Sequence, residues 1–377
     1  MLLIDAHQDL AYNLLTFGRD YTRAAAETRR LEIGGLAPLH NGDALLGWPD
    51  YQRARLAVIF GTLFAAPIRR KLGEWDHQTY ASTEQAHKIY SAQLDTYHRL
   101  ADQSPDKFRL IQTQEDLQDV LTDWENRARD FREPAEEHEP AENNNGHPVG
   151  LVILMEGAEG VRDPAELEDW WQRGVRLIGP AWAGTRFCGG TREPGPLTAE
   201  GYALLEGMAS FGFTLDISHM DEQAVLPALD SYAGRIIASH ANALALLKGV
   251  ESNRFLSDRV IQGLLARDGI IGIVPCNPFL KVGWKAEDGR QAVTLQHVIA
   301  HIDYICQLAG DAYHVAIGSD FDGGFGWQHV PSEIDTIADV RKLIPLLAEQ
   351  GYTQDDIAAI FGNNWLSLLR HILPETT

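Results

Sequence analysis

Apolar residues along the chain gather into short runs of strand length, separated by longer stretches in which they recur every three or four positions. Eight such runs stand out: Leu2–Asp5, Leu56–Leu63, Leu151–Glu156, Val175–Gly179, Phe213–Ser218, Arg235–Ser239, Ile270–Pro275 and Val315–Ser319. Most are rich in Val, Ile or Leu without clean alternation, as parallel strands covered on both faces should be. Between them, Pro164–Gln172, Ala199–Ser210, Glu222–Leu229, Asp258–Arg267 and Thr294–Leu308 carry helical spacing. Strands alternating with helices in this number predict an α/β chain closed into a (β/α)8 TIM barrel rather than an open doubly wound sheet.

The pattern assigns all of residues 1–377 to one barrel domain with two additions. The first is a long insertion between strands one and two, Ala11 to Arg55, whose His40, Asn41 and Asp43 form a polar loop that could line the pocket. The second is an acidic, Pro-containing stretch at about 130–147, too polar to bury itself and expected to be a mobile surface loop. Ser82–Asp102 and Gln114–Arg129 read as helices packed by Tyr, Leu and Trp. A closing helix over Thr353–Leu373 begins with a capping-box pattern, Thr353 and Asp356.

The charge balance narrows the partners. Against 53 Asp and Glu stand 32 Lys and Arg, a net charge of −21, which disfavours a nucleic-acid backbone or an anionic membrane and leaves cations and small molecules. Cys188, Cys276 and Cys306 show no CxxC spacing and read as reduced, buried thiols. The first apolar run stops at Asp5, too early for a signal peptide or a membrane span, so a cytoplasmic protein is expected.

Catalytic side chains of such a barrel project from the C-terminal ends of its strands. Strand one leads into His7 and Asp9, an imidazole and a carboxylate two residues apart. Strand three closes five apolar residues with Glu156, a carboxylate that needs a cation or an arginine such as Arg176 or Arg186 to be buried. Strands five and six both end in Ser-His, at His219 and His240, and strand eight ends at Asp320. Three His, two or three carboxylates and no Cys describe an open site for zinc or another divalent first-row metal. If Glu156 bridges with both oxygens, the set divides into His7, Asp9 and Glu156 on one ion and Glu156, His219 and His240 on the other. Such a two-metal site would generate a bridging hydroxide, with Asp320 left as the acid and base. The absence of a Lys at the end of strand four, and HxD in place of HxH on strand one, point to a carboxylate-bridged subtype.

Taken in order, DAHQDL, MEGAEG around Glu156, GVRLI at Gly174–Ile178, LDISH ending at His219, ASHANA around His240, NRFLSD at Asn253–Asp258, IGSDFDGG around Asp320 and the closing FGNNWLSLLR resemble the membrane dipeptidase (renal dipeptidase) family. These are zinc hydrolases of the amidohydrolase-like barrel superfamily. The resemblance implies two zinc ions per chain divided as above, Arg254 as the grip on the substrate's C-terminal carboxylate, Asp320 moving the proton to the leaving amine, and a homodimer. It departs at one place. Where renal enzymes carry a His after the fourth strand, this chain has Trp182, whose indole N–H can donate a single hydrogen bond to the substrate. The chain also ends without a hydrophobic tail for a lipid anchor, so the resemblance is to a soluble bacterial-type member. The expected activity is hydrolysis of dipeptides. Two alternatives stay open: a zinc amidohydrolase acting on N-acyl amino acids or another small amide, and a catalytically silent metal-binding scaffold.

Overall fold

The computed structural model describes residues 1–127 and 146–375. Most of the acidic stretch expected as a mobile loop at about 130–147 therefore lies outside the described residues. Eight parallel strands form the centre: β1 (Leu3–Gln8), β2 (Leu56–Phe64), β3 (Val149–Glu156), β4 (Val175–Gly179), β5 (Thr214–Asp216), β6 (Ile236–Ile237), β7 (Ile271–Ile273) and β8 (Val315–Ile317). Pairing runs in chain order from β1 to β6, and β7 pairs with β8. Two parallel bridges complete the circuit, Ala238 with Ile271 and Gln8 with Phe321. The sheet thus curls into the expected barrel, with the mouth where the strands end.

The strands from β5 onward are shorter than their apolar runs predict. Side chains take over backbone donors there: Asp216 Oδ1 accepts from the amides of Ser218 and Ser239, Asn242 Oδ1 from Val274 and Asp5 Oδ1 from Ser319. The ladder ends where these oxygens begin, and the chain turns outward into the mouth. This side of the barrel is also tight. A Cβ on Gly272 or on Gly318 would stand 1.9 Å from the carbonyl oxygen of Ser239.

Two registers place the chemistry. β2 and β3 pair without slip from Val58–Gly150 to Phe64–Glu156, which sets Glu156 and Phe64 side by side at the rim. Along β1, Asp5 pairs with Ile59 and Gln8 with Gly61, so three steps on β1 match two on β2. Such a bulge re-aims the intervening side chains, and His7 lies within it.

The stretch between β1 and β2 is built of four short helices, Leu10–Phe17, Ala25–Leu31, Leu36–His40 and Trp48–Ala54. They are latched to the loop after β8 by Asp322, which is fully buried, forms an ion pair with Arg19 Nη1 at 3.1 Å, and accepts from Tyr21 OH at 3.2 Å and the amide of Leu45 at 2.9 Å. Asn13 and Asn41 both donate to the Asp322 carbonyl at 2.9 Å. Asn41 is therefore a buried anchor of this latch rather than part of a pocket wall.

At the far end, Thr353 and Asp356 do form the capping box. The helix they start widens into a π turn at Ala359–Asn363 before Asn364–Ile372. The turn lets Trp365 pack edge-on against Phe60 and donate to the Ile317 carbonyl beneath β8. Cys188, Cys276 and Cys306 are free and buried. His301 faces inward from Leu295–Ala309, and its Nδ1 accepts from the Ala243 amide. Among the described residues no helix is long and apolar enough to cross a membrane.

Candidate active site

At the mouth, His7, Asp9, Glu156, His219, His240 and Asp320 converge from five strand ends. Glu156 sits at their centre. Its Oε2 lies 3.4 Å from His7 Nε2, and its Oε1 lies 2.9 Å from His219 Nε2 and 3.6 Å from His240 Nε2. His7 Nε2 is also 3.9 Å from Asp9 Oδ1 and 3.8 Å from Asp320 Oδ1. Ligand atoms of His7, Glu156 and His240, and separately those of His7, Asp9 and Asp320, lie within 4.8 Å of one another.

The alternative partners for Glu156 are engaged elsewhere. Arg176 donates to the carbonyls of Gln112, Trp171 and Val175, while Arg186 pairs with Glu159 and Glu200. Among the described residues no arginine forms an ion pair with the Glu156 carboxylate, and the histidines that face it fit a bound cation.

Asp9 makes the same point by what it does not do. It holds the N-cap position of Leu10–Phe17, where an Asp normally accepts a backbone N–H, yet its side chain makes no capping bond. Its Oδ1 is buried without a hydrogen-bond partner and faces His7. A buried, unsatisfied carboxylate oxygen beside two further carboxylates fits a divalent cation.

The electrostatics agree. Burial alone would lower the His7 pKa, but Glu156, Asp9 and Asp320 outweigh it and raise it to about 10. Burial pushes Asp9 up to about 7 and Asp320 well above the carboxylate range. The metal-free cluster thus holds protons that a cation would replace. His219 and His240 behave oppositely. Burial, together with the Arg254 charge, lowers His219 to about 4 and His240 well below its ordinary value, so both present neutral rings.

Outer partners aim these rings. Asp216 Oδ1 accepts from Ser218 Oγ at 2.6 Å and Oδ2 from Ser239 Oγ at 2.5 Å. Because Ser239 gives its one hydroxyl proton to Asp216, its contact of 2.8 Å with His240 Nδ1 requires that nitrogen to be the donor. The lone pair of His240 is then on Nε2, toward Glu156. Thr191 Oγ1, 2.8 Å from His219 Nδ1, plays the corresponding part for His219. Asp5, held by Ser319 and Gln8, braces β1 beneath His7.

Thr191 belongs to a hairpin after β4, Cys188–Gly190 with Glu193–Leu197, which had no sign in the hydrophobic pattern. Asn253 bonds this hairpin through Gly190 O and Arg192 N, and so fixes the loop bearing Arg254. Arg254 is 6% exposed, donates to the carbonyls of Ser218 and His240, and has no ion-pair partner among the described residues. Its burial lowers its pKa. Trp182 is half-buried at the rim, with its ring 6.2 Å from that of His219.

Asp216, Ser239, Thr191, Asn253 and Asp5 escaped the reading of the sequence. The signal for Asp216 was present, an acid inside an apolar strand that ends in Ser-His. Gly323 was also passed over. A Cβ there would come within 2.1 Å of Asp320 Oδ1 and 3.0 Å of Asp9 Oδ2, so the loop can approach the cluster only without a side chain.

Comparison with known proteins agrees with this picture. Residues 124–374 match the membrane dipeptidase family, peptidase family M19. That segment holds Glu156, His219, His240, Arg254 and Asp320, while His7 and Asp9 lie upstream and reach it through barrel closure. An uncharacterised protein in the pqqA 5′ region of Klebsiella pneumoniae is 30% identical over 234 residues, 59% of this chain and 82% of that protein. Dipeptidase tcpJ of Claviceps purpurea is 28% identical over 235 residues, which cover 59% of this chain and about half, 52%, of the relative's length. A solved metallopeptidase from Rhodobacter sphaeroides, liganded with a phosphinate mimic of the dipeptide L-Ala-D-Ala, shares the fold with a TM-score of 0.74 at 21% identity, covering 99% of both chains. The chain belongs to the membrane dipeptidase family of peptidases.

Proposed function

We propose that this protein is a binuclear zinc dipeptidase. The observation that carries the reading is the division of Glu156, with one oxygen toward His7 and the other toward His219 and His240. His7, Asp9 and Glu156 would hold one ion, and Glu156, His219 and His240 the other. Cations bound there supply carbonyl polarisation and an acidified water.

The chain's own residues do the rest. Arg254, buried and lacking an ionic partner among the described residues, receives the C-terminal carboxylate of a dipeptide in a charge-assisted pair. That contact would leave a single residue between the substrate's carboxyl end and the bond cleaved over Glu156. Asp320, kept protonatable by burial and by Asp9 and Glu156, delivers a proton to the departing amine nitrogen. Trp182, beside His219, favours a second reading in which the substrate is an N-acyl amino acid.

The test is metal content by elemental analysis on protein purified without chelator, with hydrolysis of dipeptides and N-acyl amino acids assayed on the same sample. Two zinc ions per chain with dipeptide turnover are expected, and Asp320→Asn should retain the metal and lose turnover. No metal after reconstitution would overturn the ligand assignment, and wild-type turnover by Asp320→Asn would overturn its role.

A further inference from the structure

The mouth has an aromatic side that the catalytic reading leaves unused. From His219 outward the rings touch in series: Trp182 at 6.2 Å from His219, Phe64 at 5.1 Å from Trp182, and Tyr12 at 5.6 Å from Phe64. Beyond Tyr12 the series continues through Phe17 at 6.4 Å to Trp75 at 5.5 Å. These rings come from the end of β2 and from the segments after β1, β2 and β4, all at the C-terminal side of the strands, and each is partly exposed. Rings packed this way normally disappear into a core. Here they form one wall that begins at the candidate metal ligands and stays open to solvent.

The wall is held in place. The Trp182 carbonyl accepts from the Thr191 amide at 2.8 Å, and the same residue's hydroxyl holds His219. Tyr12 OH donates to Asp76, whose other oxygen accepts from the Leu72 amide and so folds residues 72–76 against the wall. Arg254 reaches the cluster over β5 and β6, through the carbonyls of Ser218 and His240. With a dipeptide's carboxylate on Arg254 and its scissile carbonyl over Glu156, the residue before the bond extends away from β6, toward β1, β2 and β4. That is where Trp182, Phe64 and Tyr12 stand.

We infer that Trp182, Phe64 and Tyr12 form the subsite for the amino-terminal side chain and select dipeptides whose first residue is aromatic. The inference rests on the dipeptidase reading and deepens it. Covering a phenyl group on this wall should favour Phe-Ala over Gly-Ala by about tenfold to a hundredfold.

The experiment compares Phe-Ala with Gly-Ala in two ways on the zinc-loaded full chain. One is kcat/KM. The other is Kd, by calorimetry, for the two analogues in which a phosphinate replaces the scissile amide, a measurement that requires no turnover. The expected result is a preference for the aromatic member in both, expressed mainly in KM. Trp182→Ala should reduce that ratio about tenfold, and Trp182→Phe should retain most of it. Equal Kd values for the two analogues, or a ratio unmoved in Trp182→Ala, would overturn the subsite. Absence of any dipeptide hydrolysis alongside tighter binding of the aromatic analogue would overturn the dipeptidase reading and leave the subsite standing.

Discussion

Replacing Asp216 by Asn tests the geometry at the point where it makes its least obvious demand. Asp216 Oδ1 accepts three bonds, from the Ser218 and Ser239 amides and the Ser218 hydroxyl, whereas Oδ2 accepts one, from Ser239 Oγ at 2.5 Å. Three donors fix the amide oxygen of an Asn in the Oδ1 place, which turns its NH2 toward Ser239. The Ser239 hydroxyl can then no longer donate to residue 216, and its proton turns to His240 Nδ1. His240 must carry its own proton on Nε2, the atom that faces Glu156 Oε1 at 3.6 Å and His219 Nε2 at 2.9 Å. Metal binding would require the ring to return to the other tautomer, at the expense of one buried hydrogen bond. That is about 1–3 kcal/mol, or roughly ten- to a hundredfold in zinc affinity. Zinc affinity is measured by competition with a chromophoric chelator, and the tautomer by nitrogen-15 chemical shifts of the His240 ring in the metal-free protein. Ser239→Ala serves as a companion, since it removes the relay without reversing its direction and should cost less. Asp216→Asn that binds zinc as the wild type does, with His240 still protonated on Nδ1, would refute the reasoning.

Four further outcomes follow from the same cluster and its supports. His7, with a pKa raised to about 10 against an ordinary 6.5, stabilises the metal-free fold fully below pH 6.5 and loses that contribution as pH rises to 10. Asp9, raised to about 7, acts in the same direction at lower pH, so chelator-stripped protein should lose Tm between about pH 7 and 10 while zinc-loaded protein loses less. Calorimetry at pH 8 in buffers of different ionisation enthalpy should show proton release on zinc binding, and its absence would contradict a protonated His7. Gly323→Ala forces a Cβ to 2.1 Å from Asp320 Oδ1, and elemental analysis should show less than the wild-type zinc content in a folded protein. Asp322→Ala leaves Arg19 buried with only Glu32 to balance it and removes the acceptor for Leu45 N, at a cost of about 3 kcal/mol read as a lower urea midpoint. An unchanged midpoint would mean that the latch between the insertion and β8 carries no stability.

The sequence by itself determined the barrel and the identity of the residues at its mouth. Continuous runs such as Leu151–Glu156 fit a strand covered on both faces, and an acid or Ser-His closing such a run falls at the C-terminal rim in any barrel of this kind. Both are local facts about period and polarity, so they are written in consecutive residues. What only the tertiary structure decided is how those residues are aimed. The proton on His240 is assigned by Asp216 through Ser239, from the ends of two strands that pairing of the sheet sets side by side. Thr191 reaches His219 from a hairpin whose glycines and prolines carry no hydrophobic period. The Asp9 carboxylate could have been a helix cap as easily as a member of the cluster, and the bulge in β1 and the fold of the loop around Gly323 settle which. The aromatic wall draws Tyr12 from a helix, Phe64 from the end of β2 and Trp182 from a loop, far apart along the chain. Such contacts depend on how the paired strands and their loops come together in space, and no spacing in the sequence encodes them.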